Sequence, residues 1–211
     1  MNWSERWHAS HVHPRRVRVL AETAARLLPP GLAVLDIGCG DGRLAATLAQ
    51  LRPDLSVTGA EIAPRPHCAI PVVAFDGCRL PVADGSFGAA LIVDVLHHTE
   101  NPGVLLREAA RVAHDLVLLK DHLREGFGAS ATLRFMDKIS NRRHGIALPF
   151  NYLDQAAWAR LFADCGLIVE QSDPVRRLYP FPASIVFGRR LHFFARLRRS
   201  AGLSARFSAQ P

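Results

Sequence analysis

The chain has 211 residues, 49% of them hydrophobic and 21% charged, enough apolar material for one sizeable core and too little for two comfortable domains. That balance excludes an extended disordered chain, and no apolar run approaches the roughly 18 residues that a membrane helix requires. The formal charge of +7 is unevenly placed: residues 174–211 carry eight arginines and no acid, which leaves the first 173 residues at −1.

Pro14 to Leu28 has apolar side chains at Val17, Val19, Leu20, Ala24, Leu27 and Leu28, a helical period that Pro29-Pro30-Gly31 stops. A short apolar strand, Leu32 to Ile37, then runs into Gly38, Gly40 and Gly42 before a second helix, Arg43 to Leu51. Further strands are expected at Leu55–Ala60, Val72–Phe75, Ala89–Val95 and Asp115–Lys120, with a helix at Val104–Val112. The stretch between the second and third strands holds Pro64, Pro66 and Pro71, so its crossover should be abbreviated or irregular. A helical period returns over Phe127–Asn141, and a loop from Arg142 to Tyr152 leads into a helix at Asp154–Cys165, ended by Gly166. Leu167–Gln171 and Leu191–Leu197 read as closing strands, with a loop at Asp173–Pro182 between them. Strands alternating with helices imply an α/β fold whose parallel sheet is covered on both faces.

Composition narrows the partners. Only Lys120 and Lys138 are lysines against 24 arginines, a bias that genome base composition produces as readily as phosphate recognition does. No interleaved aromatic motif of the RNP type is present, so nucleic-acid binding is not favoured. The segment Met1–Ser10 is polar with two tryptophans and lacks a long apolar stretch, which makes the cytoplasm the expected location. Cys39, Cys68, Cys78 and Cys165 form no CxxC pair, so reduced thiols are expected rather than zinc or disulfides. No metal site is expected either. His8, His11 and His13 have no completing ligand beyond Glu5. Trp3 and Trp7, one helical turn apart, suit an amino-terminal segment packed over a pocket.

The strongest motif is Val34-Leu35-Asp36-Ile37-Gly38-Cys39-Gly40-Asp41-Gly42. Its glycines let the chain turn at the strand end and let a nucleotide-like ligand approach the backbone. A GxGxxG dinucleotide fingerprint needs glycine at position 43, which is Arg43. The observed DxGxGxG instead resembles motif I of the class I S-adenosylmethionine-dependent methyltransferases. An acid is sensible there, because that cofactor carries a sulfonium and an amino group and no pyrophosphate.

The resemblance continues along successive strand ends. Glu61 stands where the family places the acid that accepts from both ribose hydroxyls, with Ile62 beside it, and Asp76-Gly77 matches the acid that contacts the adenine amino group. Asp94 to Pro102 looks like the segment that lines the methionine end, and Leu80 to Phe87 is similar to the family's LPF-x-D-x-SFD stretch. One position departs: Gly88 replaces the usual acid. The resemblance implies a Rossmann-like fold with a seven-stranded, mostly parallel sheet of order 3-2-1-4-5-7-6. It implies binding of S-adenosylmethionine through Asp36, Gly38, Cys39, Gly40, Glu61, Ile62, Asp76, Gly77 and Asp94.

Methyl transfer is an in-line displacement, so alignment and water exclusion dominate and a base is optional. Candidate catalytic residues are His98, Lys120 and His122 at the ends of strands four and five. Adjacent His97 and His98 should point apart. Lys120-Asp121-His122 is expected at a pocket rim, with no direct Asp121–His122 dyad. The stretch 133–152, with Arg134, Asp137, Asn141, Arg142, Arg143, His144, Asn151 and Tyr152, suits a lid over a polar acceptor. Leu133, Met136 and Ile139 read as that helix's core-facing stripe.

The expectation is thus one methyltransferase domain over 1–211, with an amino-terminal helical segment at 1–30, a lid-like insertion at 123–153 and a basic segment at 174–211. It would methylate a small-molecule acceptor. The rivals are a non-catalytic module that binds the cofactor or its demethylated product, an RNA methyltransferase using the basic segment, and a membrane-associated enzyme resting on Leu191, Phe193, Phe194 and Leu197. Oligomeric state is not encoded in any motif.

Overall fold

The computed structural model describes residues 13–141, 149–181 and 183–200, with side chains of 139–141 left aside. Helix α1 (His13–Leu27) precedes β1 (Ala33–Ile37), α2 (Arg43–Leu51), β2 (Ser56–Glu61), β3 (Val72–Ala74) and β4 (Phe87–Val93). Then come a 3₁₀ turn (Leu96–His98), α3 (Pro102–Val112), β5 (Ala113–His122), α4 (Ala129–Asn141) and α5 (Gln155–Asp164). Strand β6 (Leu167–Pro174), a short α6 (Ala183–Phe187) and β7 (His192–Arg199) complete it.

The seven strands form one sheet of order β3-β2-β1-β4-β5-β7-β6. Strand β7 is antiparallel to both β5 and β6, and the β3-β2-β1-β4-β5 pairings are all parallel. This is the Rossmann-like arrangement that the family resemblance implied. The order reverses between β1 and β4, which makes the carboxyl ends of those strands the crevice where open sheets bind ligands.

Alternation along the strands divides the core between the two faces. Leu35, Ile37, Val117 and Leu119 pack with Leu106, Trp158 and Phe162 on one side. Val34, Leu91, Leu116 and Leu118 pack with Leu20, Ala24, Leu48, Leu133 and Phe194 on the other. Leu133 and Met136 are therefore core-facing, as their spacing required. Local signals fix the helix ends: Asn101 accepts from Gly103 N–H ahead of α3, with Pro102 in its first turn, and Asp154 accepts from Ala157 N–H at 2.9 Å ahead of α5.

Several boundaries differ from the sequence reading. No helix forms between β2 and β3, consistent with the prolines there. Strand β5 extends to His122 because it pairs with β7 as far as His122↔His192. Helix α6 was not foreseen; its five residues after Pro182 show no apolar period. The missing acid at Gly88 has a packing cause: a Cβ there would lie 2.7 Å from Leu32 Cδ2, next to the register shift between Phe87 and Ala89. Among the described residues no helix is long and apolar enough to cross a membrane.

Candidate functional site

The glycine loop is shaped by its surroundings. Gly38 has φ 76°, and a Cβ there would fall 2.5 Å from Val95 Cγ2, so no side chain fits. Gly40 also has positive φ, 59°, but a Cβ there would meet nothing within 4 Å, leaving open space above the loop. Glu61 holds the loop in place: its Oε2 accepts from Gly40 N–H at 2.8 Å and its Oε1 from Ile62 N–H at 2.9 Å. Each carboxylate oxygen has two lone pairs, so each keeps one for a ligand hydroxyl. Cys39 is buried beneath the loop and takes no part in its open face; burial raises its thiol.

Asp36 is only 3% exposed, and burial, followed by the nearby Glu61 charge, pushes its carboxyl up to about 7. Further along the rim, Asp76 Oδ1 accepts from Cys78 and Arg79 N–H, which hold its carboxyl below the usual range. Ile62 is exposed and lies over Gly77, where a Cβ would come within 3.0 Å of Ile62 Cδ1. The rim thus combines carboxylates with spare acceptor capacity, an open glycine turn and an apolar side chain. Those acceptors suit the hydroxyl and amino donors of a nucleoside with a cationic sulfur.

The second half of the site is a buried polar cluster at the ends of β4 and β5. Asp121, fully buried, accepts from His97 Nδ1 at 2.7 Å, Leu96 N–H at 3.1 Å and its neighbour His122 N–H at 2.7 Å. Burial opposes its ionisation, but His97 and these hydrogen bonds hold it well below the carboxylate range. His97 is desolvated too, yet Asp121 at Nδ1 and Asp137 at 3.5 Å from Nε2 raise it. Asp137 in turn accepts from the Tyr152 hydroxyl.

Lys120, Asp121 and His122 are buried rather than set at a solvated rim, because β7 pairs along β5 to its end. Lys120 donates to Asp94 and approaches His192 Nδ1 at 3.2 Å, so its partners are internal and its ammonium does not face solvent. Asp94, in the left-handed region at φ 58°, also accepts from Arg16 Nη2 at 2.8 Å. Burial works against that carboxylate, but Lys120 and Arg16 keep it well below its ordinary value.

Asp121 and His122 do interact, contrary to expectation. His122 Nδ1 lies 3.4 Å from Asp121 Oδ1 and 3.2 Å from His97 Nδ1. Burial, then the His97 charge, lowers His122 to about 4. The rings of His97 and His98 are not apart but 4.0 Å between centroids. His98 is half-buried, burial and His97 lower it, and its Nδ1 is buried without a hydrogen-bond partner among the described residues. Two donor sets, Asp94/His97/Asp121/His122 and His97/His98/Asp137, each lie within 4.8 Å. Sequence reasoning expected no metal ligands at these positions.

Sequence reasoning missed Arg16, Tyr179 and His192 altogether. Arg16 Nη1 donates to the Tyr179 hydroxyl at 3.0 Å, and the Tyr179 ring is 5.9 Å from His192. The alternation His192, Phe194 in the last strand was the one available signal, since it puts His192 on the Lys120 face. From the lid, Asn151 N–H donates to His97 O and Arg134 lies over the Phe150 ring. Arg142, Arg143, His144, Trp3, Trp7, His8 and His11 lie outside the described residues, as do the side chains of Ile139 and Asn141.

The LPF-like segment is held by one side chain. Arg111, 9% exposed, donates to Leu80 O, Val82 O, Asp84 and Glu108. In the basic segment, Arg196 and Arg198 pair with Glu170 at 3.0 and 2.6 Å, which removes part of the cationic surface an RNA ligand would need. Leu191 and the β7 residues Phe193, Phe194 and Leu197 are buried and cannot face a membrane.

Residues 35–116 match the family described as a methyltransferase domain. An O-methyltransferase from Pyrenophora dematioidea is 32% identical over 109 residues, covering 45% of this chain and 40% of the relative. A ubiquinone biosynthesis O-methyltransferase from Xanthomonas axonopodis pv. citri (strain 306) is 34% identical over 103 residues, covering 43% and 42%. The chain thus spans less than half the length of these curated relatives. Among solved structures, the 1,6-didemethyltoxoflavin-N1-methyltransferase of Burkholderia thailandensis, with bound S-adenosylhomocysteine, shares the fold with TM-score 0.63 at 17% identity, over 88% of this chain and 78% of that one. Motif, sheet order and the match over residues 35–116 agree in identifying a methyltransferase domain of the class I S-adenosylmethionine-dependent type.

Proposed function

We propose that this protein transfers the methyl group of S-adenosylmethionine to a hydroxyl oxygen of a small-molecule acceptor held over the ends of β4 and β5. The observation that carries the reading is the buried cluster in which Asp121 fixes His97 while the neighbouring His98 keeps an unpartnered ring nitrogen. Oxygen as the methylated atom is supported by the O-methyltransferase relatives.

When bound, the cofactor supplies an electrophilic methyl on a positively charged sulfur. Glu61 would hold the ribose hydroxyls, Asp76 the adenine amino group, and Ile62 with Gly77 the adenine faces. Gly38 and Gly40 let the backbone approach, Asp36 favours the positive charge, and Asp94, paired with Lys120 and Arg16, would line the methionine end. His98, neutral at physiological pH, accepts the hydroxyl proton. The His97 ring against it is kept in orientation by Asp121 and Asp137, and His122 and Lys120 act as positioning residues through Asp121 and Asp94. The described part of the 123–153 stretch, α4 with Phe150 to Tyr152, would close over the acceptor and exclude water.

The test is to incubate the protein with methyl-labelled cofactor and a cell extract and to identify the labelled compound by mass spectrometry. Label on a hydroxyl oxygen, strongly reduced in His98→Gln, is the expected result. Label on nitrogen or carbon, or none at all, contradicts the proposal.

A further inference from the structure

Helix α4, the loop before it and the segment around α6 carry exposed apolar side chains next to the buried cluster. Phe127 is 99% exposed, Phe181 79%, Ile185 67%, Phe135 55% and Val186 50%. Arg189 ties these residues into one surface: its Nη1 donates to Phe127 O at 2.9 Å, its Nη2 to Thr132 Oγ1 at 2.7 Å and its Nε to Val186 O at 3.1 Å. Phe187 stacks on Phe135 at 6.3 Å from α6 and meets Tyr179 at 5.5 Å. Tyr179 belongs to the buried cluster, so the patch and the site share one wall.

Apart from Glu125, the charged side chains exposed beside the patch are cations. Arg134, Lys138, Arg189 and Arg190 are exposed on the same elements. Residues 126–138 contain one acid, the buried Asp137, and 174–200 contain none. Scattered exposed apolar residues need no explanation, but Phe127 and Val186 linked through Arg189, with Phe135 packed on Phe187 and cations beside them, form a surface that does. Aromatic and aliphatic side chains flanked by arginine and lysine are the chemistry of an interface with anionic lipid, where rings enter the headgroup boundary and guanidinium groups meet phosphate.

We infer that this face docks on an anionic bilayer, with Phe127, Phe181 and Ile185 entering the headgroup region and Arg189 and Arg190 on lipid phosphates. The surface is distinct from the β7 residues, which are buried in the sheet. Taken with the proposed methyl transfer, on which this consequence rests, docking would present the site to an acceptor that resides in the membrane.

Vesicle flotation tests it, using phosphatidylcholine alone and phosphatidylcholine with about one third phosphatidylglycerol. The intact protein should float with the anionic vesicles and not with the neutral ones. The triple variant Phe127→Ser, Phe181→Ser, Ile185→Ser should lose about tenfold of that binding while keeping its thermal melt and its affinity for S-adenosylhomocysteine. Intact protein that stays unbound, or a folded triple variant that floats as well, overturns the inference. So does a dimer that the triple variant abolishes without any flotation, because a second copy then covers the patch. Failure of product binding with flotation intact counts against the proposed function and not against docking.

Discussion

Asp121 and His97, 24 positions apart in the chain, are joined at 2.7 Å in a fully enclosed contact that sets the geometry beyond both strand ends. The same carboxylate caps the 3₁₀ turn at Leu96 and holds the His122 backbone. One side chain thereby ties the end of β5 to the segment after β4, the two walls between which an acceptor would sit. Asp121→Asn should cost about 2–3 kcal/mol of stability and reduce turnover more than cofactor affinity. Two windows follow from the signs. The stability held by the depressed Asp121 is present above its unfolded value and is lost as pH falls through its folded value. The stability held by the raised His97 is full below its unfolded value and is lost as pH rises through its folded value. The difference between intact protein and variant should therefore be largest near pH 5–6, read by denaturant titration across pH.

His98→Gln should lower kcat by about 100-fold with little change in cofactor affinity. Because burial and the His97 charge lower the imidazole from its ordinary value, activity of the intact protein should hold at neutral pH and fall only below the ordinary imidazole range, and that limb should vanish in the variant. Single-turnover rates across pH provide the measurement.

Asp36 offers a separate pH test. Its carboxyl ionises near 7 in the free protein, and a bound sulfonium would favour the ionised form, so binding should release a proton. Affinity should rise from pH 6 to 8, and Asp36→Asn should flatten that rise. A raised carboxyl penalises folding increasingly between its unfolded and folded values, so the same variant should stabilise the free fold at pH 8, by at most about 4 kcal/mol, and change nothing below pH 3.5 or so. Calorimetry in buffers of different ionisation heat would register the proton release.

Arg111 is a purely structural prediction. Removing a nearly buried guanidinium that satisfies two carbonyls and two carboxylates should cost about 3 kcal/mol. Arg111→Ala should therefore melt at lower temperature, with cofactor affinity little changed in the fraction that remains folded.

The cofactor rim was readable because its parts are contiguous: Asp36 through Gly42, Glu61-Ile62 and Asp76-Gly77 each end a strand, and strand ends in a parallel sheet share one edge. The acceptor side was less so. Lys120 and His122 look like rim groups until β7 is placed beside β5, a register no local pattern specifies, and only that pairing sets His192 against Lys120. Arg16 and Tyr179 come from opposite ends of the chain. The interaction of Asp121 with His122 was missed because neighbours on a strand face opposite ways, whereas a short carboxylate at a strand end folds back to its neighbour's amide. Helix α6 gave no sign, as the five residues Ala183–Phe187 are too few to show a helical period.

The central claim is that strand-end carboxylates hold a sulfonium nucleoside, with Glu61 on its ribose. Calorimetric titration of the intact protein and of Glu61→Gln with S-adenosylmethionine addresses it most directly. Saturable one-to-one binding, weakened about 10- to 100-fold by the substitution, is the predicted result. No heat from S-adenosylmethionine or S-adenosylhomocysteine, or equal affinity in both proteins, would contradict it.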